Sequence, residues 1–214
     1  MSEISFPPLE EADETGLLAI GGELDIETLL TAYKNGIFPW PINDKILAWF
    51  APPMRAVLFL EKFHISKTLK RELNRTKYTF SFNQHFKEVV EGCQELNNRA
   101  KQKSTWITRE MARAYEELHK AGYARSVEVY DHGELVGGLY GVEIGKMFAG
   151  ESMFFRKPNA SKLALCMLVE YLKHNGSTWL DCQVMTPHMK HLGAEEIFRE
   201  DFIVLLKNTL IQNS

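Results

Sequence analysis

Hydrophobic positions recur along most of this chain at helical spacing, and elsewhere they alternate with polar ones as in strands. A helix is predicted after Asp25, which can cap it; Ile26, Leu29 and Tyr33 fall on one face, and Gly36 can end it. Further helices are predicted over 67–75, from Asn83 onward, from 108 to 122, from 159 to 175, from 186 to 193 and over 201–210, with Ser66, Thr108 and Asn159 as caps.

Strands are predicted where apolar positions alternate between turn residues. They fall at 46–50, 55–60, 78–82, 126–130, 134–144, 146–154 and 179–184, and the polar run 94–104 is predicted to be a loop. Turn residues at 131–133 and at Gly145 join three of these strands into a meander. The next helix is apolar around nearly its whole circumference, so we expect it to be buried.

This order of elements predicts an α+β protein with two domains. A small N-terminal α/β domain is expected over residues 1–62 and an acetyltransferase-like mixed-sheet domain, with a splayed central strand, over residues 63–214. The boundary follows from a change of pattern and of charge. Acyl-CoA enzymes of this fold bind pyrophosphate through a glycine-rich loop, whereas the corresponding segment 156–161 reads RKPNAS. A coenzyme A donor is therefore not expected.

Composition favours a soluble globular protein of the cytoplasm. The 214 residues are 45% hydrophobic, which is enough for a core, and the acidic N-terminus does not resemble a secretory signal. Cys93, Cys166 and Cys182 are predicted to be buried free thiols. A zinc site formed by Cys182, His188 and His191 is conceivable, but a closed site needs four ligands, so no metal is expected.

Charge is distributed unevenly along the chain. Residues 1–61 carry ten acidic and three basic residues, residues 62–125 carry seven and fourteen, and residues 126–214 carry eleven and eight. A basic middle segment is typical of a surface that contacts phosphates, and it is also typical of a solvated helical face. Charge alone leaves both interpretations open.

Candidate chemistry lies at the end of the predicted strand 179–184. Since strand side chains alternate, Asp181 and Gln183 point to one side and Cys182 to the other. Glu151 adds a carboxylate in an apolar stretch, beside Gly150. A carboxylate and a carboxamide placed side by side can orient and polarise a nucleophile.

Six blocks of sequence in this order cover nearly the whole chain: GLLAIGGELDIETLLTAYKNGIFPW, AWFAPPMRAVL, TWITREMARAYEELHKAGYARSVEVY, ELVGGLYGVEIGKMFAGESMF, NASK and LDCQV. Together they closely resemble the leucyl/phenylalanyl-tRNA-protein transferase family. The resemblance implies an enzyme that transfers Leu or Phe, and also Met, from tRNA to the N-terminal Arg or Lys of a protein. The product is an N-degron, and no metal or organic cofactor is implied.

The same resemblance implies roles for individual residues. Gln183 would accept a hydrogen bond from the attacking amine, and Asp181 would polarise that carboxamide, with Glu151 at the rim of the donor pocket. The apolar pocket would be formed by Leu139, Phe148, Met153, Leu165 and Leu168. Trp49 and Trp106, which the pattern alone assigns either to the core or to base stacking, would flank the 3′-terminal adenosine.

Basic residues of the middle segment would then hold the acceptor stem of tRNA, while the acidic remainder attracts the cationic acceptor N-terminus. They are Lys67, Lys70, Arg71, Arg75, Lys101, Lys103, Arg109 and Arg113. We expect a monomer. Two alternatives remain: an aminoacyl-tRNA-dependent ligase of cell-wall precursors, which usually needs two such domains, and a non-catalytic tRNA-binding module.

Overall fold

The computed structural model describes residues 5–43, 45–99 and 107–211. Near the N-terminus lie strands β1 (Leu17–Ile20), β2 (Phe38–Pro39) and β3 (Ala48–Phe50), with helix α1 (Ile26–Lys34) between the first two. Among the described residues these strands form a three-stranded antiparallel sheet in the order β1-β3-β2.

A larger mixed sheet follows. Its seven strands in the described part of the chain are β4 (Met54–Phe59), β5 (Thr79–Phe82), β6 (Ala124–Asp131), β7 (Glu134–Ile144), β8 (Met147–Phe155), β9 (Trp179–Gln183) and β10 (Glu195–Phe198). They lie in the order β10-β4-β9-β8-β7-β6-β5. Neighbouring strands are antiparallel except for β8 and β9, which run parallel.

The parallel pair positions the functional site. Pairing between the two fully described strands β8 and β9 is confined to Ala149 and Asp181. Residues beyond this pair, Gly150 and Glu151 on β8 and Gln183 on β9, therefore border a gap in the sheet. The predicted splay of a central strand occurs here.

Helices cover both faces of the larger sheet. They are α2 (Lys67–Arg75), α3 (Phe86–Arg99), α4 (Arg109–Lys120), α5 (Ala160–His174), α6 (Pro187–His191) and α7 (Arg199–Ile211). A Cβ on Gly137 of β7 would meet Ala160 of α5, and one on Gly138 would meet Val89 of α3, so α3 and α5 lie on opposite faces. No helix among the described residues is both long and apolar enough to cross a membrane.

The apolar core has two main parts, one on each face. The part on the α3 and α4 face continues into the N-terminal sheet, where Tyr33, Phe38 and Trp49 belong to the same cluster as Met111 and Phe202. The other part lies under α5, and α2 packs on the outside of α5 through Leu69, Leu163 and Cys166. The small sheet is therefore joined to the α3 and α4 face by continuous apolar packing.

Three predicted helix caps are confirmed. Asp25 Oδ1 accepts the Thr28 N–H at 2.8 Å, Ser66 Oγ accepts the Leu69 N–H at 3.1 Å, and Thr108 Oγ1 accepts the Met111 N–H at 3.1 Å. The predicted meander is confirmed as β6, β7 and β8. Cys93 and Cys166 are buried free thiols as predicted, and Cys182 is a free cysteine that is partly buried as a residue.

Other local predictions are wrong. The Asn159 side chain makes no capping bond to α5; the residue has φ +63° and its Nδ2 donates to Glu72 Oε2 at 2.7 Å. The predicted loop 94–104 is helical as far as Arg99, the last described residue of α3, and residues 100–106 lie outside the described residues. Strand β10 was not predicted, since two of its four residues are glutamates.

The predicted division at residue 62 stays a prediction. Strand β4 precedes residue 62, yet it pairs with β9 and β10 in the larger sheet. The chain passes from one sheet to the other through the short segment 51–53, which contains Pro52 and Pro53. We propose that the two structural units meet at this segment.

Candidate active site

A cavity of about 290 Å³ opens where β8 and β9 stop pairing. Four polar residues from the two strands line it: Glu151 and Ser152 on β8, and Asp181 and Gln183 on β9. Its wall is mostly apolar and comes from β7, β8, β9, α5 and α6, with side chains of Leu139, Met153, Leu165, Leu168, Leu180 and Met189. An apolar cavity with a few converging polar groups is suited to a ligand with an apolar side chain beside a reactive centre.

Glu151 is the centre of a hydrogen-bond network. Tyr33 donates to Oε1 and Tyr115 to Oε2, both at 2.7 Å, and Gln183 Nε2 donates to Oε1 at 2.7 Å. The two tyrosine hydroxyls also lie 2.8 Å apart. The network therefore connects α1, α4, β8 and β9 through one carboxyl group.

Burial raises the pKa of Glu151 to about 7, and the negative charge of Asp181 adds to this effect. The hydrogen bonds from Tyr115, Tyr33 and Gln183 act in the opposite direction. Burial also raises the pKa of both tyrosines well above the ordinary value, so they stay protonated and donate. Near neutral pH the Glu151 carboxyl is thus divided between its two forms and can accept a proton.

Asp181 forms a buried ion pair with Arg55 of β4. Arg55 Nε donates to Oδ1 at 2.9 Å and its Nη2 donates to Oδ2 at 2.7 Å, while both residues are 2% exposed. The guanidinium lies between the rings of Phe38 and Phe202, with 4.6 Å from its carbon to each centroid, and Nη1 donates to the Gly36 carbonyl. Asp181 is therefore fixed in place and its charge is compensated.

Gln183 has an unusual backbone conformation, with φ +60°. Its N–H donates to Asp181 Oδ1 at 2.9 Å, which stabilises this turn at the end of β9. The predicted contact between Asp181 and the Gln183 carboxamide is not present; the carboxamide donates to Glu151 instead. Since its nitrogen binds Glu151, its oxygen is turned the other way and can accept from a substrate amine.

Comparison with known proteins assigns this chain to a family. The family model described as leucyl/phenylalanyl-tRNA protein transferase matches residues 57–207, and the model of its N-terminal domain matches residues 22–53. A leucyl/phenylalanyl-tRNA–protein transferase of Flavobacterium johnsoniae is 49% identical over 206 residues, covering 96% of this chain and 97% of that protein. One of Lawsonia intracellularis is 48% identical over 201 residues, covering 94% and 88%.

This chain belongs to the leucyl/phenylalanyl-tRNA protein transferase family. It is an aminoacyltransferase, as the sequence blocks predicted. The crystal structure of FemX has a TM-score of 0.54 to this transferase at 12% identity, covering 84% of this chain and 70% of that one. At that level of identity the likeness shows a shared fold alone.

The structure brings most of the predicted pocket residues of this transferase together. Leu139, Met153, Leu165 and Leu168 line the cavity. Phe148 does not line it; the ring is fully buried in the same apolar cluster, behind the wall. Its contact with a bound side chain would therefore be indirect.

Trp49 is placed differently from the prediction. Trp49 is 2% exposed, its Nε1 donates to the Gly21 carbonyl at 2.8 Å, and it packs edge-on against Phe6, away from the cavity. It has no face open to a base.

Trp40, which follows Pro39, is 39% exposed and lines the cavity. The sequence shows a tryptophan between two prolines, and only the structure shows that it is exposed. Trp106 lies outside the described residues.

The predicted basic surface is divided by the sheet. Lys67, Lys70, Arg71 and Arg75 lie on α2, on the α5 face. Arg109 and Arg113 lie on α4, which packs on the opposite face with α3. Lys101 and Lys103 are outside the described residues.

Within the described part of the chain, no three residues of the types His, Cys, Asp and Glu are close enough together to hold a metal ion.

Proposed function

We propose that this transferase moves Leu, Phe or Met from aminoacyl-tRNA to the N-terminal Arg or Lys of an acceptor protein. The observation that carries the proposal is the junction of an apolar cavity with Glu151 and Gln183. A side chain can bind in the cavity while its ester carbonyl lies beside groups that handle an amine. The product carries a bulky apolar residue at its N-terminus and acts as an N-degron.

The chemistry needs placement and proton transfer. An ester to ribose is already activated, and an α-amino group with a pKa of about 7.7 to 8.0 is partly neutral near pH 7. The amine nitrogen attacks the carbonyl carbon, the new C–N bond forms and the C–O bond to ribose breaks. Gln183 orients the amine through its carboxamide oxygen, while Glu151 accepts the proton that nitrogen loses and returns one to the ribose oxygen.

Asp181 acts on this reaction through Gln183. Because Arg55 compensates its charge, Asp181 has little capacity to polarise a carboxamide that it does not contact. It fixes the Gln183 backbone in the left-handed conformation that directs the side chain to Glu151. We therefore assign Asp181 and Arg55 a positioning role.

Donor selection follows from the cavity wall. Leucine, phenylalanine and methionine side chains exchange water for apolar contacts with Leu139, Met153, Leu165 and Leu168. Each methylene changes the discrimination between two substrates by only about 1 to 3 kcal/mol. The wall therefore discriminates against small or polar side chains more strongly than it discriminates among the three donors. The terminal adenosine stacks on Trp40, an interaction of roughly 1 to 3 kcal/mol, with Trp106 as the second candidate.

The acceptor stem lies on α2, whose four cations share a face of the molecule with the cavity-lining helix α5. The acceptor protein brings an amine and a cationic side chain, which the acidic N-terminal and C-terminal parts of the chain attract. Because aminoacyl-tRNA is a cytoplasmic metabolite and one chain forms the whole cavity, we propose that the enzyme acts in the cytoplasm as a monomer.

The test is transfer of radiolabelled amino acid from charged tRNA to model peptides. Leu-, Phe-, Met- and Arg-tRNA are crossed with peptides that begin with Arg, Lys, Asp or Ala, and a free lysine side chain tests the cell-wall ligase alternative. Label should move from Leu-, Phe- and Met-tRNA onto Arg and Lys peptides only. Gln183→Ala should abolish it, whereas Gln84→Ala, at an exposed position, should not. Binding of tRNA without transfer to any acceptor would favour a binding module.

A further inference from the structure

A second cavity, of about 520 Å³, lies on the α5 face between α2, α5 and α6. Its basic side chains are Lys162 in the first turn of α5, His188 and His191 of α6, and His64 just before α2. None of the residues described as lining it is acidic. A cavity of this composition is suited to an anion.

This basic cavity adjoins the active site. His188 lines both cavities. At the other side Ser66 and Thr68, at the start of α2, belong to its lining. The basic cavity therefore spans the distance from the cationic helix α2 to the edge of the active-site cavity. A nucleic-acid strand that runs from a stem on α2 to an ester beside Glu151 would find this cavity on its way.

The basic side chains of the cavity lie close together. Burial lowers the pKa of His188, and the charges of Lys162 and His191 lower it further. Among the described residues no carboxylate forms an ion pair with any of these three. Glu72, which is near, binds the Asn159 amide instead. An anion in the cavity would compensate the charge of Lys162.

We propose that the basic cavity binds the phosphodiester group that joins the last two nucleotides of the aminoacyl-tRNA. Lys162 and His191 contact the phosphate oxygens, and His188 lies between this phosphate and the active site. The contact reads no base; it fixes the strand so that the terminal ester enters the apolar cavity. The inference rests on the proposed function for the identity of the donor.

The experiment compares three small donors. Phenylalanyl-adenosine has no phosphodiester, phenylalanyl-CpA has one, and phenylalanyl-CpA with a methylphosphonate linkage has the same bases without the charge. Transfer to an Arg peptide is measured with wild type, Lys162→Ala, His191→Ala and the double variant. The control is Lys173→Ala, which removes the same charge from an exposed position at the far end of α5.

In wild type the charged dinucleotide should have a KM roughly tenfold below that of its neutral analogue, which is the scale of one charge-assisted hydrogen bond. This ratio should approach one in the double variant and persist in Lys173→Ala. KM and kcat for phenylalanyl-adenosine should be unchanged in every variant, which also shows that each one is folded.

Equal KM values for the charged and neutral donors in wild type would overturn the proposal, as would a ratio that survives in the double variant. Inhibition by coenzyme A at concentrations where inorganic pyrophosphate has no effect would assign the cavity to a nucleotide cofactor and would also overturn it. Failure of all donors, charged tRNA included, would refute the proposed function instead.

Discussion

Glu151 is a carboxyl group whose pKa lies where the proposed chemistry needs it. Because only the carboxylate accepts a proton, transfer should increase as pH rises through about 7. Glu151→Gln should lower kcat by about a hundredfold or more, since general base catalysis contributes about 10²- to 10⁴-fold. It should also remove the inflection near 7 and leave only the titration of the acceptor amine at about 7.7 to 8.0. Single-turnover rates between pH 5.5 and 8.5 measure both effects.

The same raised pKa has a consequence for stability that serves as the control. The native state binds a proton more tightly than the unfolded state, so this stabilisation is complete below the ordinary pKa of 4.5 and is lost as pH rises through about 7. Urea unfolding should show that loss in wild type and a flatter profile in Glu151→Gln. A variant that is much less stable than wild type throughout this range would mean that its inactivity reflects unfolding.

The buried pair of Arg55 and Asp181 is expected to stabilise the fold only while both partners are present. Arg55→Met leaves a carboxylate unpaired at a site that is 2% exposed, and should cost about 3 to 5 kcal/mol of unfolding free energy. Arg55→Met with Asp181→Asn should recover much of this loss, because the uncompensated charge is gone. Urea denaturation of both single variants and the double variant measures the coupling; additive losses would contradict it.

The two tryptophans Trp40 and Trp49 should respond in opposite ways to the same change. Trp40→Ala removes a partly exposed ring at the cavity and should raise the donor KM about tenfold or more, since base stacking is worth roughly 1 to 3 kcal/mol, with little loss of stability. Trp49→Ala empties a core position and should cost about 3 to 5 kcal/mol of stability. Thermal melts and transfer kinetics on both proteins separate the roles; an unchanged KM in Trp40→Ala would remove it from the site.

At the level of helices and strands, two glycines that end helices form a matched pair. Gly36 after α1 and Gly122 after α4 both have positive φ, +77° and +86°. A Cβ on Gly122 would meet nothing within 4 Å, whereas one on Gly36 would lie 2.5 Å from Ile203 and 3.1 Å from Phe202, both on α7.

Gly122→Ala should therefore cost about 1 kcal/mol for backbone strain alone. Gly36→Ala should cost about 1 to 3 kcal/mol more, because overpacking against α7 is added. Equilibrium unfolding of both variants in urea gives the difference. Equal losses would show that α7 shifts without penalty.

Helix ends were predictable where the capping contact is local. Asp25, Ser66 and Thr108 each bind an N–H three residues ahead, so the chain segment itself contains both partners. Asn159 has the same capacity, yet its amide binds Glu72, which is 87 residues away in sequence. Strand β10 likewise depends on its partner β4 more than on its own pattern.

Across the molecule, the sheet separates two groups of cations that the sequence places in one segment. Charge reversal at Lys70 and Arg71 on α2 should weaken the binding of all tRNAs alike. The slope of the logarithm of the binding constant against the logarithm of the salt concentration should fall by roughly one unit for each phosphate that is no longer neutralised. Charge reversal at Arg109 and Arg113 on α4, which lies on the opposite face, is the matched control. Filter binding from low to high salt measures both slopes, and an unchanged slope for the α2 variant would exclude that surface.

Most of the helices and strands, the local caps, the meander and, through six blocks, the family could be predicted from the amino-acid sequence. Only the tertiary structure shows which functional groups contact each other. Arg55 contacts Asp181 across 126 residues, Tyr33 contacts Glu151 across 118, and Gln183 contacts Glu151 across 32. These contacts depend on the sheet order and on the gap between β8 and β9, whereas hydrophobic periodicity specifies only which face of an element is buried.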